Sequence, residues 1–169
     1  MRDEITIKRI QLMHPNLRNE VAEIYEEICK ALTDKVGCRF AYTLRTMEEQ
    51  DALYAIGRTK PGNKVTNARG GESMHNYGLA LDIVLLIDKD GNGTYETASW
   101  NRAIDVDGDH ISDWQEIVNI FKMYGWEWGG NWNTFPDYPH FQKSYGLSIK
   151  RLQKCPKIPG TNYPHNLSI

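Results

Sequence analysis

Two histidines and two aspartates occur in short segments whose other residues are mostly apolar. His75 follows a glycine-containing stretch, and Asp82 stands seven residues later inside the apolar run 79–87. His140 enters a second short apolar segment, three residues after Asp137. Burying a lone carboxylate in a strand is costly, so Asp82 needs a cation or several hydrogen-bond donors nearby.

Together these residues have the composition of a catalytic zinc site. His75, Asp82 and His140 supply two imidazoles and one carboxylate, which leaves the fourth position of a tetrahedral ion open for water. Zinc lowers the pKa of such a water towards ~7, and Asp137 would accept its proton. Each residue alone also has an ordinary explanation, such as a structural histidine or an aspartate that caps the turn before Pro139. The pattern by itself leaves both interpretations open.

The hydrophobic spacing around these residues predicts a mixture of helices and strands. Apolar side chains at alternating spacings of four and three predict amphipathic helices, and Thr46 with Glu49 forms a capping-box pair. Helices are predicted over about 15–35, 46–56 and 114–124, and strands over about 38–44, 79–87 and 139–142. The stretch 58–74 is predicted to be a long loop, and loops of that length in compact domains are often functional.

The order of these elements predicts the fold class. Helices and strands do not alternate regularly, and no glycine-rich phosphate loop follows a strand. This favours an α+β fold with an antiparallel sheet over a doubly wound fold. The 169 residues suit a single domain over 1–169. We expect its core to span about 10–150 and residues 151–169 to form a tail along the surface.

Composition argues against several classes of protein. Twenty Lys and Arg residues against 22 Asp and Glu residues give a net charge of -2, so no basic patch for a nucleic acid is expected. No apolar run reaches the ~18 residues of a membrane span. The first ten residues lack the apolar segment of a secretory signal, so we expect synthesis in the cytoplasm or a leader that was removed. Three cysteines without close pairing predict plain thiols, and we expect a monomer.

Four ordered blocks of the sequence resemble a family of zinc peptidases. That family contains D-alanyl-D-alanine carboxypeptidases and L-alanyl-D-glutamate endopeptidases, among them VanY-like enzymes and phage endolysins. The blocks are Leu-Arg-Thr with the following Glu-Gln and Leu-Tyr-x-x-Gly-Arg (44–58), Ser-x-His-x-x-Gly-x-Ala-x-Asp (73–82), Gly-Trp-x-Trp-Gly-Gly-x-Trp (125–132) and Asp-x-Pro-His-Phe (137–141). The resemblance implies the α+β fold that these peptidases share with the hedgehog signalling domain.

The resemblance also implies roles for individual residues. It implies His75, Asp82 and His140 as zinc ligands and Asp137 as the catalytic base. Arg45 is then expected to hold a carbonyl oxygen or a carboxylate of the substrate as negative charge develops. Four further residues are expected to contact or surround the substrate, with core packing or support of His75 as the alternatives: Ser73, Gln50, Tyr54 and Trp132.

The activity that the resemblance implies is hydrolysis of the stem peptide of bacterial peptidoglycan. An L-alanyl-D-glutamate endopeptidase like those of phage endolysins is the first expectation. A D-alanyl-D-alanine carboxypeptidase and a non-catalytic, metal-containing wall-binding module are the alternatives. The site of action would be the cell wall, reached at lysis if the protein comes from a phage.

Two aspartate-rich loops between 88 and 113 suggest calcium as a second cofactor. Oxygen-bearing side chains occur there at alternate positions, as in calcium-binding loops. They are Asp88, Asp90 and Asn92 in the first loop and Asp105, Asp107 and Asp109 in the second. Neither loop completes the EF-hand pattern, and Asp-Gly segments are also ordinary turns, so both interpretations stay open.

Overall fold

The computed structural model describes residues 2–32, 35–106 and 108–167. Its helices are α1 (Glu4–Ile10), α2 (Arg18–Ala31), α3 (Met47–Ala55), α4 (Asp113–Met123) and α5 (Ile149–Lys154). Its strands are β1 (Val36–Tyr42), β2 (Ala80–Ile87), β3 (Thr97–Ser99), β4 (Glu127–Trp128) and β5 (His140–Gln142). Short 3₁₀ turns occur at Pro15–Leu17, Met74–Tyr77 and Gly129–Asn131.

Strand β2 is the centre of the sheet. Strand β1 pairs with it along one edge, while β5 and β3 pair with the two halves of its other edge. Strand β4 extends the sheet beyond β5. Every pairing is antiparallel, and helices flank the sheet, so the predicted α+β class is confirmed.

Helices α2 and α4 cover the sheet with their apolar stripes. Val21, Ile24 and Ile28 of α2 are fully buried. On α4, Phe121 stacks on Phe141 of β5 with ring centroids 4.3 Å apart. Full burial of one such side chain contributes roughly 1.5–3 kcal/mol, so this layer holds β5 and its neighbours in place against the helices.

The predicted elements recur with shifted boundaries. The predicted helix over 15–35 begins as the 3₁₀ turn Pro15–Leu17, and α2 ends at Ala31. The capping box of α3 is confirmed, since the Thr46 hydroxyl accepts from the Glu49 amide at 3.1 Å and the Glu49 carboxylate accepts from the Thr46 amide at 2.8 Å. Sequence periodicity did not predict α1, β3 or α5, because seven, three and six residues are too few to show a repeat.

The C-terminal segment packs against the start of the chain. Leu152 and Leu167 belong to the buried core. The Tyr163 hydroxyl donates to the Leu12 carbonyl at 2.8 Å, and His14 Nε2 donates to the Pro164 carbonyl at 2.8 Å. Across the described residues, no helix has the combined length and apolar character that crossing a bilayer requires.

Candidate metal centre and catalytic cleft

Asp82 and His140 face each other across the β2–β5 pair. Asp82 is the register partner of His140, and Ala80 is the partner of Gln142. Directly opposite residues of an antiparallel pair project from the same face with Cβ atoms about 4.5–5.5 Å apart. The pairing of two strands that are 58 residues apart along the chain therefore brings a carboxylate and an imidazole together.

His75 reaches the same point from the 3₁₀ turn that precedes β2. The Ser73 hydroxyl accepts from the His75 amide at 3.3 Å and so caps this turn. Gly78 ends the turn with a φ of 67°. A Cβ at Gly78 would lie 2.7 Å from both the His14 nitrogen and the Tyr163 ring. Only glycine therefore fits here, and the turn that holds His75 is anchored against both ends of the chain.

The three side chains form a nearly equilateral triangle of nitrogen and oxygen atoms. His75 Nε2 lies 3.1 Å from Asp82 Oδ1 and 3.2 Å from His140 Nδ1. The distance from His140 Nδ1 to Asp82 Oδ1 is also 3.2 Å. In a tetrahedral zinc site with arms of about 2.0–2.1 Å, neighbouring ligand atoms are about 3.3–3.4 Å apart. The donor set and its spacing thus fit one tetrahedral ion.

Both imidazole rings are oriented by their second nitrogen. His75 Nδ1 donates to the Thr43 carbonyl at 2.6 Å, and His140 Nε2 donates to Gln142 Oε1 at 3.0 Å. Gln142 is itself held, because its amide donates to the Glu127 carboxylate at 2.8 Å. These hydrogen bonds leave the lone pairs of His75 Nε2 and His140 Nδ1 directed at the shared centre, as in metal sites with a supporting outer layer.

Asp137 lies at the edge of this centre in a tight turn. Its amide donates to the Gly129 carbonyl at 3.1 Å, and its carbonyl accepts from the His140 amide at 3.2 Å. Burial and the neighbouring Asp82 carboxylate raise the pKa of the Asp137 carboxyl above its usual value, although nearby cationic groups oppose the rise. A carboxylate with a raised pKa is a better proton acceptor than a fully solvated one.

Arg45 lies beside Asp82 at the same site. Its guanidinium donates to Asp82 Oδ2 at 3.4 Å and to Gln50 Oε1 at 2.9 Å. Gln50 is completely buried, and its amide donates to the Ala68 carbonyl at 2.8 Å. The predicted substrate residue Gln50 therefore lies behind Arg45 and fixes its direction, while the side chain of Arg45 stays 12% exposed.

A cleft with a volume of about 570 Å³ opens above these groups. Arg45, His75, Asp82, Asp137 and His140 contribute to its lining. The predicted substrate residues Ser73 and Trp132 line it as well, and the Trp132 ring lies 5.1 Å from the His140 ring. Tyr54 is not among the described residues that line the cleft. Its ring lies under the Arg58 guanidinium at 3.8 Å instead.

Sequence reasoning missed residues that position the others. Asn76 is fully buried, and its side chain donates to the carbonyls of Arg45 and Thr46 at 2.9 and 3.1 Å. It therefore ties the Arg45 segment to the His75 turn, yet nothing in one sequence distinguishes it from a turn asparagine. Gln142 had a detectable signal, because it stands two residues from His140 in a predicted strand and must share its face.

The aspartate-rich loops have the hydrogen bonds of ordinary turns. Asp88, Asp90 and Glu96 bring carboxylate oxygens within 4.8 Å of one another. The Asp88 carboxylate, however, already accepts from the Gly91 and Gly93 amides at 2.8 Å each. In the second loop, Asp105 accepts from the Gly108 and His110 amides, Asp109 accepts from the Ile111 amide, and Asp107 lies outside the described residues. These contacts do not support the calcium prediction.

Part of the chain is similar in sequence to a known protein family and to two characterised proteins. Residues 66–143 match the sequence profile of the D-alanyl-D-alanine carboxypeptidase family. The chain is 52% identical over 98 residues to the peptidoglycan L-alanyl-D-glutamate endopeptidase CwlK of Bacillus subtilis (strain 168), a match that covers 58% of this chain and 55% of that protein. It is 33% identical over 104 residues to the L-alanyl-D-glutamate peptidase of Listeria phage A118, covering 61% of this chain and 29% of that protein.

Structural comparison supports the fold independently. The crystal structure of the L-Ala D-Glu endopeptidase ChiX of Serratia marcescens matches with a TM-score of 0.52 and 20% identity, covering 84% of this chain and 88% of that one. At this identity the likeness concerns the fold alone. The chain spans about half the length of CwlK and under a third of the phage protein.

Proposed function

We infer, from the match of residues 66–143 to the D-alanyl-D-alanine carboxypeptidase family, that this protein is a zinc-dependent peptidase acting on peptidoglycan. The bond that we propose it hydrolyses joins L-alanine to D-glutamate in the stem peptide, because the curated relatives CwlK and the phage A118 protein both carry that activity in their names. The main support for this proposal is the geometry of the site. Three potential ligand atoms lie 3.1–3.2 Å apart beside a cleft that also holds a carboxylate and a guanidinium.

His75, Asp82 and His140 are the residues that would hold the zinc ion. Two neutral imidazoles and one carboxylate match the ligands of catalytic zinc sites. Zinc would act there as a Lewis acid that polarises the scissile carbonyl and makes water reactive near neutral pH. Burial opposes ionisation of Asp82, but His75 and His140 in their protonated form outweigh it and lower the pKa of its carboxyl well below the usual range.

Asp137 is the residue that we propose moves the proton. Its carboxylate would accept a proton from the attacking water and return it to the nitrogen of the leaving amine. Its place in the turn before His140 keeps it next to the triangle without making it a fourth ligand. A positioned general base contributes roughly 10²–10⁴-fold to the rate.

Arg45 would stabilise the negative charge that develops on the carbonyl oxygen. A guanidinium offers several N–H donors in a rigid plane, and Gln50 and Asp82 accept from two of its nitrogens. Because these contacts hold the group before substrate arrives, little reorganisation accompanies the reaction.

A D-alanyl-D-alanine carboxypeptidase is the second candidate, since the matched family carries that name. The products separate the two activities. The endopeptidase releases peptides that begin with D-glutamate, while the carboxypeptidase releases free D-alanine.

Digestion of purified peptidoglycan by the zinc-loaded protein, followed by mass spectrometry, tests the proposal. We expect peptides with N-terminal D-glutamate from the wild type. We expect a loss of at least about 10²-fold in rate for Asp137→Ala, with zinc content unchanged. Release of D-alanine alone would select the second candidate. No product at any zinc concentration would support a non-catalytic wall-binding module instead.

A further inference from the structure

The exposed lining of the cleft contains apolar residues beside polar ones such as Glu72 and Thr134. Nine large hydrophobic residues of the described chain are exposed, and three of these line the cleft: Tyr42, Val65 and Phe135. Tyr42 already has partners, since the guanidinium groups of Arg9 and Arg45 lie over its ring. Phe135 is 48% exposed, and no aromatic ring or cation is paired with it among the described residues. Exposed apolar groups that gather at a concave site are typical of ligand contact.

The backbone at Phe135 is also unfavourable. Its φ is 57°, a left-handed value that is strained for a bulky side chain and that glycine or asparagine adopts more readily. Pro136 follows, and a residue before proline normally prefers an extended backbone. The loop is nevertheless closed firmly at its base, because the Gly129 carbonyl accepts from the amides of both Trp132 and Asp137.

Tyr145 has the same left-handed backbone strain, and its packing against the core offsets it. Its φ is 52°, but its ring packs against the hydrophobic core, and Lys143 Nζ lies 5.7 Å from its centroid. Among the described residues, Phe135 is not one of those that pack against this core. A strained backbone that presents an unpartnered aromatic ring to a cleft is the arrangement in which strain serves a function.

We propose that Phe135 contacts the substrate, its ring packing against an apolar group of the stem peptide. This inference rests on the proposed function. Phe135 and Val65 are exposed in the lining of the cleft and offer apolar surface to such a group.

The substitution Phe135→Asn separates this role from a structural one. Asparagine tolerates a left-handed φ, so relief of strain should raise Tm by about 2–4 °C. Loss of the ring should raise KM by about five- to tenfold and leave kcat within about twofold, as expected when binding shared by ground state and transition state is removed. Phe135→Tyr, which keeps the ring, should retain the KM of the wild type.

Tyr145→Asn is the matched control. This substitution also favours a left-handed φ, but it removes a ring that packs against the core. Tm should therefore fall while KM stays unchanged. An unchanged KM for Phe135→Asn would overturn the proposal. A fall in its Tm would overturn it too, because the ring would then be stabilising the fold.

A binding measurement keeps this inference separate from the proposed function. Asp137→Ala protein, with and without Phe135→Asn, is titrated with a synthetic N-acetylmuramyl-L-alanyl-D-glutamate peptide by calorimetry. We expect Kd to rise about five- to tenfold when the ring is removed. If the wild type cleaves no peptidoglycan, the proposed function fails, while this comparison still decides the role of Phe135. Equal Kd values would exclude Phe135 as a contact.

Discussion

Asp82 and His140 are register partners, and their nearest side-chain atoms lie 3.2 Å apart. Because side chains alternate between the two faces of a strand, a shift of β5 by one residue would turn His140 to the other face of the sheet. The same shift would expose Phe141, which is fully buried. The hydrophobic core therefore sets the register that completes the candidate metal centre.

Zinc binding should stabilise the fold through this centre. A ligand that binds only the folded state contributes about 4 kcal/mol at a thousandfold excess over its Kd, so zinc should raise Tm in calorimetry and a chelator should reverse the rise. His140→Ala should abolish both the zinc-dependent increase and the activity. His165→Ala changes an exposed histidine and should keep both. An equal rise in Tm for His140→Ala would show that zinc binds elsewhere.

Gln142 should tune the affinity for zinc without being a ligand. Its side-chain oxygen accepts from His140 Nε2 at 3.0 Å, and loss of such a supporting partner typically costs about 10–100-fold in metal affinity or activity. We expect Gln142→Ala to weaken zinc binding by that factor in a competition titration. Gln115→Ala on α4 changes a glutamine that does not line the cleft and should leave the affinity unchanged. Equal affinities for the two variants would contradict this role.

Gly129 should be required for the position of Asp137. A Cβ at Gly129 would lie 2.5 Å from the Asp137 carbonyl oxygen and 3.1 Å from His140 Cβ. Gly129→Ala must push this turn away, and a displacement of about 1 Å can cost about 10²-fold in rate. Gly160→Ala is the control, because its φ is 74° but no atom lies within 4 Å of the added Cβ. It should lower stability by about 1 kcal/mol and leave kcat unchanged, and a normal kcat for Gly129→Ala would refute the steric argument.

Asp3 should make stability depend on pH. It caps α1 by accepting from the Thr6 amide, and it forms an ion pair with Arg39 of β1 at 2.7 Å. Burial opposes its ionisation, but hydrogen bonds from Arg39 and Thr6 outweigh it and lower the pKa of Asp3 below 3.8. A lowered pKa in the folded state means that the stabilisation is complete above pH 3.8 and is lost as the pH falls through the folded value.

Denaturant unfolding at several pH values tests this dependence. Asp3→Asn should reduce the free energy of unfolding by about 1–3 kcal/mol at pH 7, and the difference from the wild type should shrink in acid. Glu27→Gln removes an exposed ion pair with Lys30 and should leave stability nearly unchanged, because surface ion pairs contribute little. A difference for Asp3→Asn that stayed constant from pH 7 to pH 2 would argue against the linkage.

Much of this protein could be predicted from local sequence. The capping box at Thr46 and Glu49, the apolar run of β2 and the stripe of α4 depend on neighbours within one or two turns, so the chain itself specifies them. The grouping of His75, Asp82 and His140 as ligands stays a prediction that rests on the resemblance of four sequence blocks, because each residue alone also has an ordinary structural explanation.

Tertiary structure alone decided how these parts act together. Gln50 turns out to support Arg45 from behind, Tyr54 pairs with Arg58 outside the cleft, and Asn76 joins two segments that lie 31 residues apart. The left-handed φ of Phe135 likewise depends on a loop closed by Gly129. Local preferences act over a few residues, whereas these contacts depend on the register and packing of distant segments, which a single sequence does not encode in any short pattern.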